Sequence, residues 1–179
     1  MSKINYIKLT KFDTSNGPGI RTVLWVAGCD NHCPGCHNPE TWDPNAGTPF
    51  RTTVVDEIDE SLSHPYIAGL TVSGGDPFYS ENITAVTGIL SYIKKRHPDK
   101  TIWVYTGYSY ENLKDLPIME YIDVLVDGRF ILALKDITLP YSGSSNQRII
   151  DIPKSREIGE VIRWQNTNMM NAVTSVDSI

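Results

Sequence analysis

The stretch "RTVLWVAGCDNHCPGC" at residues 21–36 joins a run of β-forming residues to a tight loop carrying all three cysteines of the chain, Cys29, Cys33 and Cys36. The run is short, rich in β-branched and aromatic side chains, and closed by Gly28, which marks it as a strand. Four later segments have the same signature: "GLTVSG" at 69–74, "TIWVYTG" at 101–107, "YIDVLVDG" at 121–128 and "NQRIIDI" at 146–152. Helical patterns lie between them. Residues 51–64 place Val54, Val55, Ile58 and Leu62 on one face, and residues 80–98 repeat Ile83, Val86, Leu90 and Ile93 at three- and four-residue steps before Pro98. A shorter helix follows Ser109 as its cap. Alternation of this kind predicts βαβ units in one α/β domain with a mostly parallel sheet. A complete eight-stranded barrel takes about 250 residues, so the expectation for 179 residues is an open or partial (βα) barrel of about five or six strands.

This order places four loops on one rim. The cysteine loop follows the first of these strands, "SGGDP" (73–77) the second, "TGY" (106–108) the third and "DGRF" (127–130) the fourth. Ligand sites in α/β folds occupy the carboxyl ends of parallel strands, so the four loops read as one site.

Three thiols within eight residues are an awkward number for disulfides and one short of a closed tetrahedral site. The N-terminus lacks the apolar region of a signal peptide and no apolar run approaches about 18 residues, so the expected compartment is the cytoplasm, away from the membrane. Thiols stay reduced there, and a cysteine cluster reads as metal-binding or redox-active. The net charge of −5 excludes a phosphate-tracking surface, so nucleic acid is not an expected partner. Zinc would need His32 or His37 to complete a Cys₃His set, although such sites usually draw ligands from two separated knuckles. A dithiol reading of Cys33 and Cys36 leaves Cys29 without a role. A [4Fe–4S] cluster explains all three. It takes one thiolate per iron, so three cysteines leave one iron open to a small molecule, the mark of a catalytic metal site.

The C-x₃-C-x₂-C spacing of Cys29, Cys33 and Cys36 resembles the radical S-adenosylmethionine (SAM) signature, and "SGGDP" resembles the glycine-rich strand end that receives the SAM methionine group. The resemblance implies that Gly74, Gly75 and Asp76 hold the SAM amino-acid moiety, with the three cysteines as cluster ligands. Many members carry an aromatic residue just before the last cysteine. Gly35 stands there in this chain, so the adenine falls to Gly35, Cys36 and His37 through ring or main-chain contacts.

"NGPGIRTVLWVAGC", "CPGCHNPETW", "SGGDP", "WVYTGY", "VLVDGRF" and "GSSNQRIID", in order over residues 16–151, resemble the activating proteins of anaerobic ribonucleoside-triphosphate reductase. That family implies a radical SAM core over 1–164, and the polar, aperiodic stretch 165–179 is expected to be a mobile tail. The family implies reduction of the cluster by a flavodoxin-type electron donor, cleavage of SAM, and hydrogen abstraction from a glycine of the large catalytic subunit of the reductase. No side chain is then needed as a catalytic acid or base. "GPGIR" and "CHN" are shared with the pyruvate formate-lyase activator, which is the alternative, and a non-catalytic zinc-binding interaction module is the alternative from another class. Tyr105, Thr106, Gly107 and Tyr108 are candidates for the ribose, Asp127, Gly128 and Arg129 for SAM or the partner, and residues 144–148 for the partner's tail. Each has a plain reading as turn or packing residues. Arg21 is expected exposed at a strand start or paired with a carboxylate, and Trp25, Trp42 and Trp103 are expected to pack.

Overall fold

The structure is a computed structural model that describes residues 4–166. The tail anticipated from Gln165 therefore lies outside the described residues, Gln165 and Asn166 excepted. The strands are β1 Asn5–Asp13, β2 Ile20–Val26, β3 Thr48–Pro49, β4 Ile67–Gly74, β5 Thr101–Tyr105, β6 Val124–Asp127 and β7 Arg148–Asp151. The helices are α1 Thr52–Leu62, α2 Ile83–Arg96, α3 Tyr110–Leu113 and α4 Ile152–Ile158.

All seven strands form one sheet in the order β3-β1-β2-β4-β5-β6-β7. The central strands β2, β4, β5 and β6 run parallel, as anticipated. The flanks correct the expectation. β1 is antiparallel to β2 and β3, and β7 is antiparallel to β6, which makes the sheet mixed. Among the described residues β3 and β7 are its two edges, so the sheet is open and closes into no barrel. The reasons are local. β1 carries Lys8 and Lys11 and has no fully buried residue, so it lacks the alternation that marks a half-buried strand. Between β6 and β7 the chain makes only a 3₁₀ turn at Leu132–Leu134, and a parallel return needs a longer, usually helical crossover.

The two faces of the sheet differ. Leu24 and Val26 of β2, Leu70 and Val72 of β4, Ile102 and Val104 of β5, and Leu125 of β6 point into one core. Val54, Ile58 and Leu62 of α1 and Val86, Ile89, Leu90 and Ile93 of α2 meet them there. Val55 is only half-buried, the one residue of the anticipated α1 face that misses the core. The intervening strand residues face the opposite side, since side chains alternate with a period of two. Trp103, Val124 and Val126 form a second, smaller cluster under Tyr105, Tyr141, Ile149 and Trp164. Trp103 meets Tyr141 and Trp164 edge-on at 5.4 and 5.0 Å, the packing role anticipated for it. Val23 is buried on that face as well, and Arg21, Thr71 and Ser73 add buried polar groups to it.

Arg21 corrects its sequence reading. It is fully buried and meets no carboxylate. Its Nε donates to Thr71 Oγ1 at 2.8 Å, Nη1 to Thr101 Oγ1 at 2.9 Å and to the Pro18 carbonyl at 3.4 Å, and Nη2 to the Leu70 and Thr101 carbonyls, both at 2.8 Å. The guanidinium lies 5.6 Å from the Trp103 ring centroid. One side chain thus ties the amino ends of β2 and β5 to the middle of β4, and burial lowers its pKa to about 10. Every donor is used, which is what a buried cation without a counter-charge requires.

The helix caps are equally specific. Ser109 stands at the N-cap of α3, but its side chain makes no capping bond. Instead the Tyr110 N–H donates to the buried Asp127 carboxylate at 2.7 Å. α4 is capped by Asp151, whose carboxylate accepts from the Lys154 N–H at 3.1 Å, and ends at Gly159 with φ +82°.

Arg21→Ala leaves the Thr71 and Thr101 hydroxyls and three carbonyls without their donor, and is expected to cost on the order of 3 kcal/mol. Arg21→Lys recovers only part, because an ammonium cannot span the same acceptors. Urea unfolding of the three proteins measures both.

Candidate functional site

The cysteine loop leaves β2 through Gly28, whose φ is +97°. Its base is fixed by the Gly28 N–H donating to the Thr41 carbonyl at 2.7 Å and the Cys29 N–H to the Trp42 carbonyl at 3.1 Å. Cys33, Pro34, Gly35 and Cys36 form a turn. The Cys36 N–H donates to the Cys33 carbonyl at 3.0 Å, and Gly35 has φ +72°, the glycine position of a type II turn with proline before it. His32 also has a positive φ, +41°, uncommon for a residue with a Cβ. Its ring packs on Trp42 at 4.8 Å.

The thiols are free, and all three line one cavity of about 440 Å³ on the polar face of the sheet, together with His37, Gly74, Gly75 and Asp76. The floor is formed by Trp25 of β2, Ser73 of β4 and Tyr105 of β5, and Thr106, Gly107, Gly128 and Gln147 extend the wall. Trp25 and Trp42, anticipated as packing residues, are lining residues as well. Gly35 is not brought to the cavity. It faces Leu132 instead, where an added Cβ would stand 2.8 Å from Leu132 Cδ1. Tyr108, Asp127 and Arg129 do not line the cavity either. His37 packs on Phe130 at 5.5 Å, and both face the cavity.

The strand end 73–77 has its own logic. The Gly75 N–H donates to the Val26 carbonyl and the Asp76 N–H to the Gly28 carbonyl, both at 2.8 Å. A Cβ on Gly75 would stand 2.3 Å from the Gly28 oxygen, and one on Gly74 would stand 2.6 Å from the Val26 oxygen. Both glycines therefore let β4 close onto the root of the cysteine loop, a requirement of the fold that stands whatever the cavity holds.

Asp76 is the junction of the rim. Its carboxylate accepts from the Phe78 N–H at 2.9 Å, the Thr106 hydroxyl at 2.9 Å, the Gly107 N–H at 2.9 Å and the Asn31 amide at 3.1 Å. Three loops meet on one side chain that is 1% exposed. Burial, opposed by these hydrogen bonds, raises its pKa to about 6.

Residues between the cysteines are held from outside. The Tyr108 hydroxyl donates to the Asp30 carboxylate at 2.6 Å, and Arg129 Nη2 donates to the Asn31 carbonyl. Asn82, buried at the start of α2, donates through its amide to the Ala27 carbonyl at 2.8 Å and the Asp76 carbonyl at 2.9 Å. Sequence reasoning missed the roles of Asp30, Asn31 and Asn82. A polar residue between ligands or before a helix carries no mark of its distant partner. Arg148, anticipated for docking, is committed to Asp127 at 2.9 Å through Nε and to Glu111 at 2.8 Å through Nη1, and it draws the Glu111 pKa down to about 2. Gln147 and Asn146 hold the Gly128 and Arg129 carbonyls at 3.1 and 2.8 Å. Segment 144–148 therefore braces the "DGRF" loop.

The donor set fits an iron–sulfur cluster. Among the described residues, no three His, Cys, Asp or Glu side chains converge as they would around a single ion, so the Cys₃His zinc arrangement is not preformed. A cubane distributes its thiolates over separate corners, which suits three thiols that line one cavity. The Asn38 N–H donates to Cys36 Sγ at 3.4 Å, the kind of bond that tunes a ligand sulfur. Burial pushes the Cys29 thiol above its ordinary range, and bound metal ions would supply the positive charge that favours its thiolate.

Residues 15–150 match the family described as a 4Fe-4S single cluster domain, which spans most of the chain. Fold, cysteine loop and this match define an iron–sulfur domain of the single-cluster kind. The chain is 42% identical over 146 residues to the anaerobic ribonucleoside-triphosphate reductase-activating protein of Enterobacteria phage T4, covering 82% of this chain and 93% of the relative. It is 40% identical over 148 residues to the protein of that name from Escherichia coli (strain K12), covering 80% and 96%, and 41% identical over 150 residues to that of Vibrio cholerae, covering 82% and 97%. This chain belongs to the family of anaerobic ribonucleoside-triphosphate reductase-activating proteins. No helix among the described residues is long and apolar enough to cross a membrane.

Asp76→Asn sets an NH₂ group against donors that now meet an acceptor, and is expected to destabilise the protein by about 2 kcal/mol. The wild-type pH profile carries a sign. A carboxyl whose folded pKa of about 6 lies above its unfolded value near 4 contributes stability that is fully present below about pH 4 and lost as pH rises to about 6. Denaturant midpoints from pH 4 to 6 should show that fall in the wild type and lose its Asp76 component in the variant.

Proposed function

We propose that this chain is a glycyl-radical activase of the radical SAM type, acting on a glycine of the large catalytic subunit of anaerobic ribonucleoside-triphosphate reductase. The observation that carries the reading is the meeting of three free thiols with the Gly74–Asp76 strand end on one open cavity, in a chain of this family. Cys29, Cys33 and Cys36 would ligate three irons of a [4Fe–4S] cluster and leave the fourth open for S-adenosylmethionine. The chemistry supplied by these groups when bound is one-electron cleavage of the sulfonium, giving a radical that takes the hydrogen atom.

The chain's own residues hold and orient. The main chain at Gly74 and Gly75 borders the cavity beside the cysteines, where carbonyls can meet the SAM ammonium group. Asp76 adds negative charge there while keeping three loops in register. The His37–Phe130 wall offers an aromatic surface for adenine, and Tyr105, Thr106 and Gly107 border the position left for ribose. Excluding water and stray hydrogen donors from this space is the protein's contribution to selectivity. The substrate glycine has no side chain to block its approach, and its α-radical is delocalised over the flanking amides. A flavodoxin-type protein is the proposed electron donor, and the cytoplasm the proposed compartment.

The test is an anaerobic EPR spectrum of the reconstituted protein with reductant, SAM and the reductase large subunit. The expected signal is a hydrogen-split organic doublet whose splitting collapses when glycine in the large subunit is deuterated at Cα. Alanine at Cys29, Cys33 or Cys36 should abolish the doublet and lower the iron content. 5′-Deoxyadenosine without a doublet would leave the SAM chemistry standing and overturn the choice of partner.

A further inference from the structure

Among the described residues, eight large apolar side chains are exposed, and four of them fall in one seven-residue stretch: Ile131 at 42%, Leu132 at 53%, Leu134 at 42% and Ile137 at 87%. Scattered exposed apolar residues need no explanation, whereas a contiguous apolar patch marks an interaction surface. This one follows β6 directly and adjoins the cysteine loop. Leu132 lies over Gly35, and the residues bounding the patch, Phe130 and Leu139, line the cavity itself.

The patch is not a loose loop. The Ser145 N–H donates to the Leu134 carbonyl at 2.9 Å, the Asp136 N–H to the Gly143 carbonyl at 3.2 Å, and the Ile131 N–H to Ser144 Oγ at 3.2 Å. Main-chain bonds therefore present the apolar side chains in a fixed arrangement, which lowers the ordering cost of association. Within residues 131–139 the charges are a single Lys135 and a single Asp136.

We infer that Ile131, Leu132, Leu134 and Ile137 form the docking surface for the polypeptide that carries the substrate glycine, the reductase large subunit. This rests on the function proposed above. In that reading the reacting atom belongs to a macromolecule that must seat around the cavity mouth, and this patch is continuous with that mouth. The electron donor is the weaker occupant on physical grounds. Redox encounters are brief, small and steered by charge, and a nearly neutral apolar stripe offers little steering. Apolar, preorganised contact suits a complex that must persist while a glycine is positioned for abstraction.

The experiment uses the full, cluster-loaded chain with the double substitution Ile131→Asp, Ile137→Asp, with Leu134→Ser as a milder variant. Phe12→Ser serves as a control, because Phe12 is also exposed, at 66%, but stacks on Tyr66 instead of adjoining the cavity. Anaerobic binding to the large subunit is measured beside dithionite-driven 5′-deoxyadenosine formation without partner. The expected result is a loss of affinity of about tenfold or more in the double variant, a smaller loss in Leu134→Ser, and none in Phe12→Ser. Partner-free SAM cleavage should stay within about twofold of wild type, since none of these residues lines the cavity. Unchanged affinity for the large subunit overturns the proposal. So does a variant that binds the large subunit normally but has lost reduction by a flavodoxin-type donor, or has lost self-association, because the patch then serves that other occupant. If the wild type itself never yields a glycyl radical on the large subunit, the functional reading falls instead, an outcome separate from the affinity series.

Discussion

A single carboxylate organises the functional end of this protein. Asp76 gathers the Asn31 amide from the cysteine loop, the Phe78 N–H from its own turn, and the Thr106 hydroxyl and Gly107 N–H from the end of β5. A buried carboxylate is costly unless hydrogen bonds offset its lost hydration, so each loop has to stand where its donor reaches. The constraint runs backwards into the sequence. Gly74 and Gly75 are needed so that β4 can approach β2 closely enough to place Asp76 there. At Gly107 a Cβ would stand 2.4 Å from the Asn31 amide nitrogen and would push that side chain from its place on Asp76.

The cysteine loop is held more by its surroundings than by itself. Its internal bonds include a turn at Cys33–Cys36 and an N–H on Cys36 Sγ. Tyr108, Arg129 and Asp76 reach in from the ends of three other strands to fix Asp30 and Asn31. On the proposed function this loop offers its thiols to a cluster and cannot fill its own interior with side chains, so its rigidity has to come from outside. The outlying φ of His32 sits between these clamps, where the flanking contacts over-determine the backbone.

How much of this was legible depended on how local the signal was. The four parallel strands, the two long helices and the rim of loops could be read because period and glycine punctuation are local properties. So could the gathering of Cys29, Cys33, Cys36, Gly74, Gly75 and Asp76, since each loop follows a recognisable strand. β1 was hidden because an outer strand with lysines and half-exposed faces has no apolar alternation to show. The antiparallel return of β7 was hidden because strand direction follows from the intervening connection, which contains only a 3₁₀ turn. Arg21 was misjudged because arginine usually finds a carboxylate or water, and nothing local tells of carbonyls contributed by β4 and β5. Arg148 and Gln147 were read as docking residues because a polar loop shows its composition and conceals its partners.

Among the buried charges of the described residues, Arg21 near the amino ends of the parallel strands and Asp76 at their carboxyl ends are of opposite sign. Arg21 secures the amino ends and Asp76 the carboxyl ends. Neither pairs with an opposite charge; each is satisfied by neutral donors or acceptors drawn from several strands. An ion pair fixes two groups to each other, whereas a buried charge served by neutral groups fixes as many segments as it has hydrogen-bonding positions, and salt screens it little. The planar five-donor guanidinium suits acceptors on neighbouring strands, and the acceptor-only carboxylate suits loops that offer N–H and hydroxyl groups. With both ends tied in this way, the apolar face under α1 and α2 supplies stability and the polar face is left open. That division allows Trp25, Ser73 and Tyr105 to floor a cavity instead of a core.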